Sequence, residues 1–230
     1  MFKNIRLAFL AFLSCTLFTD LSAQYSLTVE ASASGFGHGT VYRFYVDLSD
    51  PTDRVSAVFG NDQDNLVINS PAGIFNSPMN ASWNASGINP AFLAFFPDMA
   101  EDSYATIGLE GPASFSPGTA DPSLVEDGAL SPTVSQYFVT GGTNLNVNTL
   151  TGASWYILNT DANGLPDANG RVLIAQVTST GNVSGTIPVQ VFPLGVGADQ
   201  VQVSIDFDGE GTWDENGQVV SEVPGCIDAG

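Results

Sequence analysis

Two stretches carry oxygen-bearing side chains at the spacing of a calcium loop. Such a loop places ligands at positions 1, 3 and 5, a glycine at 6, a backbone carbonyl at 7, a water-mediated side chain at 9 and a bidentate Glu at 12. In "NTDANGLPDANGR" the frame starting at Asn159 puts Asn159, Asp161 and Asn163 at the first three positions. Gly164 makes the turn and Asp167 comes ninth. In "DFDGEGTWDENG" the same frame gives Asp206, Asp208, Glu210, Gly211, Thr212 and Asp214. Position 12 is glycine in both, Gly170 and Gly217, so the bidentate ligand is missing. The second stretch has four carboxylates and the first two, so Asp206–Asp214 is the stronger candidate for calcium. Asn-Gly and Asp-Gly are also strong turn formers, and the competing reading is a polar turn between strands.

Other chemistry finds little to stand on. The only histidine, His38, lies among glycines in Gly35-Phe36-Gly37-His38-Gly39 and reads as a surface loop residue rather than the base of a triad. No Cys/His cluster exists to hold structural zinc. Lysine is absent after residue 3, which excludes Schiff-base chemistry beyond the leader. No glycine-rich phosphate loop follows a strand. A carboxylate-pair hydrolase needs only two acidic groups flanking a bond, but nothing in the spacing selects a pair. The densest acidic cluster, Asp98, Glu101 and Asp102, sits near Phe95, Phe96 and Tyr104 and reads as a solvated loop. Of the tryptophans, Trp155 lies in an apolar run and reads as core. Trp83, in Asn80-Ala81-Ser82-Trp83-Asn84, is the best candidate for an exposed ring that binds a sugar.

The elements that must position these residues are strands. Short runs rich in Val, Ile, Tyr and Phe alternate with Gly, Pro, Asn, Ser and Thr, and sustained helical periodicity is missing. Thr40–Leu48 places Tyr42, Phe44, Val46 and Leu48 on one face and Arg43, Tyr45 and Asp47 on the other. Gln200–Phe207 turns Val201, Val203, Ile205 and Phe207 inward. Ser26–Ala33, Val55–Phe59, Leu66–Asn69, Tyr104–Leu109, Ser154–Leu158, Val172–Thr178 and Thr186–Phe192 complete the clear set, and Val219–Val223 is a candidate. Ala91–Phe96 fits a buried strand and a helical turn after Pro90 equally well. The expected fold is an all-β antiparallel β-sandwich, Ig-like or jelly-roll-like, of about 9–11 strands. It spans residues 24–223 as one domain, with an irregular 111–152 segment that holds one or two short strands near Gln136–Thr140.

Residues 1–23 read as a cleaved signal peptide. Lys3 and Arg6 precede an apolar run from Leu7 to Phe18, and Leu21-Ser22-Ala23 offers the cleavage site. The run is shorter than the roughly 20 residues of a membrane span. Cleavage would remove Lys3, Arg6 and Asp20. That leaves three arginines against 23 acidic residues, a net charge of −20. So acidic a chain is a poor partner for nucleic acid or an anionic membrane. Cys226 would then be the only cysteine, without an internal partner.

Two resemblances add to this. N-T-D-A-N-G-L-P-D is similar to the D-x-D-x-D-G-x-x-D calcium loops of thrombospondin type 3 repeats. The blocks "VYRFYVDLSDPTDRVSAVFGND", "INPAFLAFFPDMAEDSYATIGLEGP" and "NGLPDANGRVLIAQVTSTGNVSGTIPVQVF" resemble an uncharacterised domain of large exported bacterial surface proteins. The tail "VPGCIDAG" looks like the opening of the G-C-T-D-x-x-A-C-N-Y repeats of proteins exported by type IX secretion, so residues 224–230 would begin a linker or Cys-containing repeat. That resemblance implies a secreted or outer-surface location, further domains of the same polypeptide, and no catalytic residues. The expected role is adhesion or scaffolding against an extracellular glycan or protein. A carbohydrate-binding module is the first alternative and a carboxylate-pair hydrolase the second.

Overall fold

The computed structural model describes residues 25–220. The leader and the 224–230 tail lie outside them, as does most of the Val219–Val223 candidate. Twelve strands form in the described part. They are β1 (Ser26–Ala33), β2 (Thr40–Asp47), β3 (Arg54–Gly60), β4 (Leu66–Asn69), β5 (Tyr104–Ala105), β6 (Ser123–Glu126), β7 (Asn144–Val147), β8 (Ala153–Tyr156), β9 (Arg171–Ser179), β10 (Ser184–Phe192), β11 (Val201–Asp208) and β12 (Gly211–Trp213). Two short α-helices interrupt them, α1 (Pro90–Leu93) and α2 (Val134–Thr140). No helix among the described residues is long and apolar enough to cross a membrane.

The strands make two antiparallel sheets, as the alternation predicts. Sheet A runs β12-β1-β2-β9-β5. In sheet B, β10 pairs with β11 along its whole length. Its first half also pairs with β4 (Ser184↔Asn69) and its second half with β3 (Val189↔Val58). β3 and β4 are therefore two pieces of one row, interrupted at Asn61–Asn65. β8 and β7 flank those two pieces in the same way, and β6 closes the edge on β8.

The core lies between the sheets. Leu27, Val29, Phe44, Val46, Ile174 and Val177 face inward from sheet A. Val58, Ile68, Trp155, Val189, Ile205 and Phe207 meet them from sheet B. Phe44 and Phe207 join the layers edge to face, ring centres 5.1 Å apart. Both alternating faces read from β2 and β11 are as expected.

The 111–152 segment is more ordered than its prolines suggest. It contributes β6, α2 and β7, and Gln136–Thr140 is helical rather than extended. Thr133 caps α2 by accepting from the Gln136 amide, and the Gln136 side chain accepts from the Thr133 amide in return. The helix buries Val134, Tyr137 and Phe138 against the core. Tyr104–Leu109 is strand only at Tyr104–Ala105.

Candidate functional site

Most side chains of the two calcium frames hydrogen-bond within the fold. In the first, each side chain makes a hydrogen bond within the fold, although Asn159 Oδ1 is buried without a partner. The Asp161 carboxylate accepts from the Leu158 amide at 2.9 Å, and the Asn159 side-chain amide donates to the Gly195 carbonyl at 2.8 Å. Asp167 accepts from the amides of Asn169 and Arg171. Asn163 is buried. Its Nδ2 donates to the carbonyls of Ile107 (2.7 Å) and Ala120 (3.0 Å), and its Oδ1 accepts from the Ala120 amide (3.1 Å). It is a clamp between two backbone segments, not a loop ligand.

The second frame runs from one sheet into the other. Asp206 and Asp208 lie on extended β11, where alternate residues stand about 6.5 Å apart. They accept from Thr186 and Asn182, each at 2.6 Å. The chain then turns at Gly209–Glu210 and enters the other sheet as β12. There Thr212 Oγ1 meets Thr28 Oγ1 at 2.8 Å. Asp214 accepts from the Asn216 and Gln218 amides. Among the described residues, no three Asp, Glu, His or Cys side chains converge.

Trp83 is half-buried and packs against the main core, so its ring is less exposed than the loop composition suggests. His38 stacks on Phe75, ring centres 3.5 Å apart. The acidic cluster also differs from expectation: Glu101 and Asp102 are buried, not solvated. Together they clasp two loops. Glu101 accepts from the Ser34 hydroxyl and from the Gly35 amide, holding residues 34–38. Asp102 accepts from the Ser77 amide at 2.7 Å and the Asn80 side chain at 2.6 Å, holding residues 77–80. These acceptor bonds repay part of the cost of burying two carboxylates with no cation beside them.

For Asp102 the repayment is incomplete. Burial pushes its carboxyl up to about 6, against the lowering effect of those hydrogen bonds. A carboxyl raised in the folded state contributes stability that is fully present below its unfolded pKa, near 4, and lost as pH rises through about 6. Wild type is therefore expected to lose on the order of 2–3 kcal/mol relative to Asp102→Asn between pH 4 and pH 7. Urea midpoints of both proteins at the two pH values measure it. A constant difference would show that Asp102 does not titrate in this window.

The feature that sequence reasoning missed stands beside this clasp. Ala91–Phe96 takes the helical option. Asn89 caps α1 by accepting from the Ala91 amide, and Pro90 occupies its first turn. Leu93 packs inward against the small cluster of Ala85, Ile88 and Tyr104. Phe92, Phe95 and Phe96 are left outside, 53 %, 76 % and 40 % exposed. The ridge is anchored at both ends, by buried Ile88 before it and buried Met99 after it. The Gln176 side chain on β9 also donates to the Ala100 carbonyl at 3.0 Å. The two clasped loops each add an exposed apolar residue, Phe36 and Met79. The signal was present in the sequence: Asn-Pro opening and Pro97 closing a short segment, with phenylalanines at i, i+3 and i+4 opposite Leu93.

Two carboxyls are pushed up by burial, Asp102 and Asp47. Asp47 accepts from the hydroxyls of Ser26 and Thr28. Neither lines the four surface cavities bounded by Thr28–Ser32, by Gly108–Glu110, by Ala72–Phe75 or by Tyr156–Leu158. Comparison with protein-family models, with curated proteins and with solved structures finds no match.

Proposed function

We propose that this chain is an exported, non-catalytic module of the cell surface or secreted milieu, with an adhesion or scaffolding role. The carrying observation is the ridge of Phe92, Phe95 and Phe96. Leaving large apolar side chains in water forgoes about 1.5–3 kcal/mol each, and contiguous exposed apolar patches mark docking surfaces. The ridge is held by a cap, a proline and buried flanks, so little order is lost when a partner covers it. The partner that fits is an extracellular protein face with an apolar centre. Its rim is neutral or basic, because no lysine or arginine occurs between Arg54 and Arg171 while 11 acidic residues do. The resemblance to domains of large exported surface proteins supports the location and the presence of further domains. This reading does not depend on calcium.

The test uses an array of immobilised extracellular proteins and glycans, probed with wild type and with the triple variant Phe92→Ser, Phe95→Ser, Phe96→Ser. These side chains are exposed, so each change is expected to shift stability by no more than about 0.5 kcal/mol. Wild type is expected to bind protein features that the folded triple variant loses. An unchanged binding pattern would overturn the role of the ridge.

A further inference from the structure

The outward face of sheet A gathers most of the cations among the described residues. Arg43 on β2 and Arg171 on β9 are two of the three arginines among the described residues. Both lie against one ring: the guanidinium carbon of Arg171 is 3.9 Å from the centre of Tyr45, and that of Arg43 is 5.6 Å away. Arg171 pairs with Glu30 at 2.6 Å, and Arg43 with Glu110 at 2.5 Å.

Two cavities open on this face. One, of about 500 Å³, is lined by Thr28, Glu30, Ser32, Arg43, Glu210 and Thr212, among others. The other, of about 320 Å³, has Tyr45, Glu110, Ser116, Thr119, Asp167 and Arg171 in its walls. Each ion pair joins a residue of one cavity to a residue of the other, so the cavities meet at the Arg–Tyr–Arg stack. Their size is that of small-ligand sites, which run from about 300 to 1,000 Å³.

The chemistry selects a ligand class. Each guanidinium is held by one close carboxylate, and Asp167 Oδ2 stands 3.8 Å from the buried Nε of Arg171. The two guanidinium side chains keep 26 % and 18 % of their surface exposed, so they can still donate to a ligand in the cavities. Beside each donor stands a carboxylate that can accept. A hydroxyl needs both at one place, a donor for its oxygen and an acceptor for its hydrogen. Adjacent hydroxyls on a sugar ring match adjacent guanidinium and carboxylate groups. An anionic ligand would gain from the arginines but must enter the field of a chain with net charge −19, so the fitting ligand is neutral. We propose that the two joined cavities on sheet A form a binding site for a neutral saccharide, with Arg43, Arg171, Glu30 and Glu110 as its polar contacts. The site is separate from the phenylalanine ridge and does not depend on its role.

Saturation-transfer NMR on the full chain tests this with methyl β-glucoside, methyl β-galactoside, methyl α-mannoside and galacturonate. At least one neutral glycoside is expected to bind weakly and to perturb the Tyr45 ring. Arg43→Gln and Arg171→Gln are expected to weaken it about tenfold or more, the cost of a lost charge-assisted hydrogen bond. Glu110→Gln alters a side chain that is 71 % exposed, so it keeps the fold and is also expected to weaken binding. The triple serine variant of the ridge should bind as wild type does. Binding of galacturonate alone, binding of no glycoside, or affinity unchanged in folded Arg43→Gln and Glu110→Gln would each overturn the proposal.

Discussion

Asn163→Asp is expected to destabilise the protein by about 3–5 kcal/mol, and calcium is not expected to restore it. Asn163 Nδ2 donates to two carbonyls, Ile107 at 2.7 Å and Ala120 at 3.0 Å. Aspartate keeps the shape and removes both donors. It also sets a carboxylate against those two carbonyl oxygens in a buried site, with no cation to pair it. The surroundings have little room to adjust. Gly108 sits at φ +66°, and a Cβ there would lie 2.0 Å from the Asn163 carbonyl oxygen. The same substitution in a calcium loop would add a charged ligand at position 5 and strengthen binding. The two readings of "NTDANGLPDANGR" thus predict opposite results from one variant. Urea midpoints with and without millimolar calcium decide between them. An undiminished midpoint, or recovery on adding calcium, would return the stretch to the metal reading.

Trp155→Ala is expected to cost about 3–5 kcal/mol as well. Trp155 is fully buried on β8, in a row between β3 and β6. Its ring meets Phe138 of α2 edge to face, centres 6.2 Å apart. Its Nε1 donates to the Thr106 carbonyl at 3.1 Å. Alanine would leave a cavity between sheet B and α2 and a buried carbonyl without its donor. Trp155→Phe keeps most of the volume and loses the hydrogen bond, so its cost should be about 1–3 kcal/mol. Chemical denaturation of both variants measures the split. A loss below about 1 kcal/mol for the alanine variant would mean that the ring is not the joint between α2 and the sheet.

What was legible in the sequence follows the range of each interaction. The faces of β2 and β11 could be read because side-chain alternation is a property of a single strand. Trp155 could be assigned to the core from its immediate apolar neighbours. The capping box of α2 is equally local, Thr133 followed by Gln136, but Gln136–Thr140 is too short for its apolar residues to distinguish a helix from the expected strand. The continuity of β3 with β4 was not legible, since both are aligned by a third strand, β10, more than 100 residues away in the chain.

The candidate sites divide along the same line. Ligand spacing is local, so both calcium frames and the aromatic segment 91–96 were visible as patterns. Whether a pattern becomes a site depends on what the rest of the chain brings to it. Ile107 and Ala120 converted Asn163 into a clamp. The crossing from sheet B to sheet A separated Asp206 and Asp208 from Thr212. Ser34, Ser77 and Asn80 drew Glu101 and Asp102 inside. By itself the sequence determined the fold class, the alternating faces of β2 and β11, and the net charge of −19. Only the tertiary structure decided which polar groups are spent on the fold and which apolar ones are left over. A side chain's partners come from distant segments, and their positions are set by the packing of the two sheets.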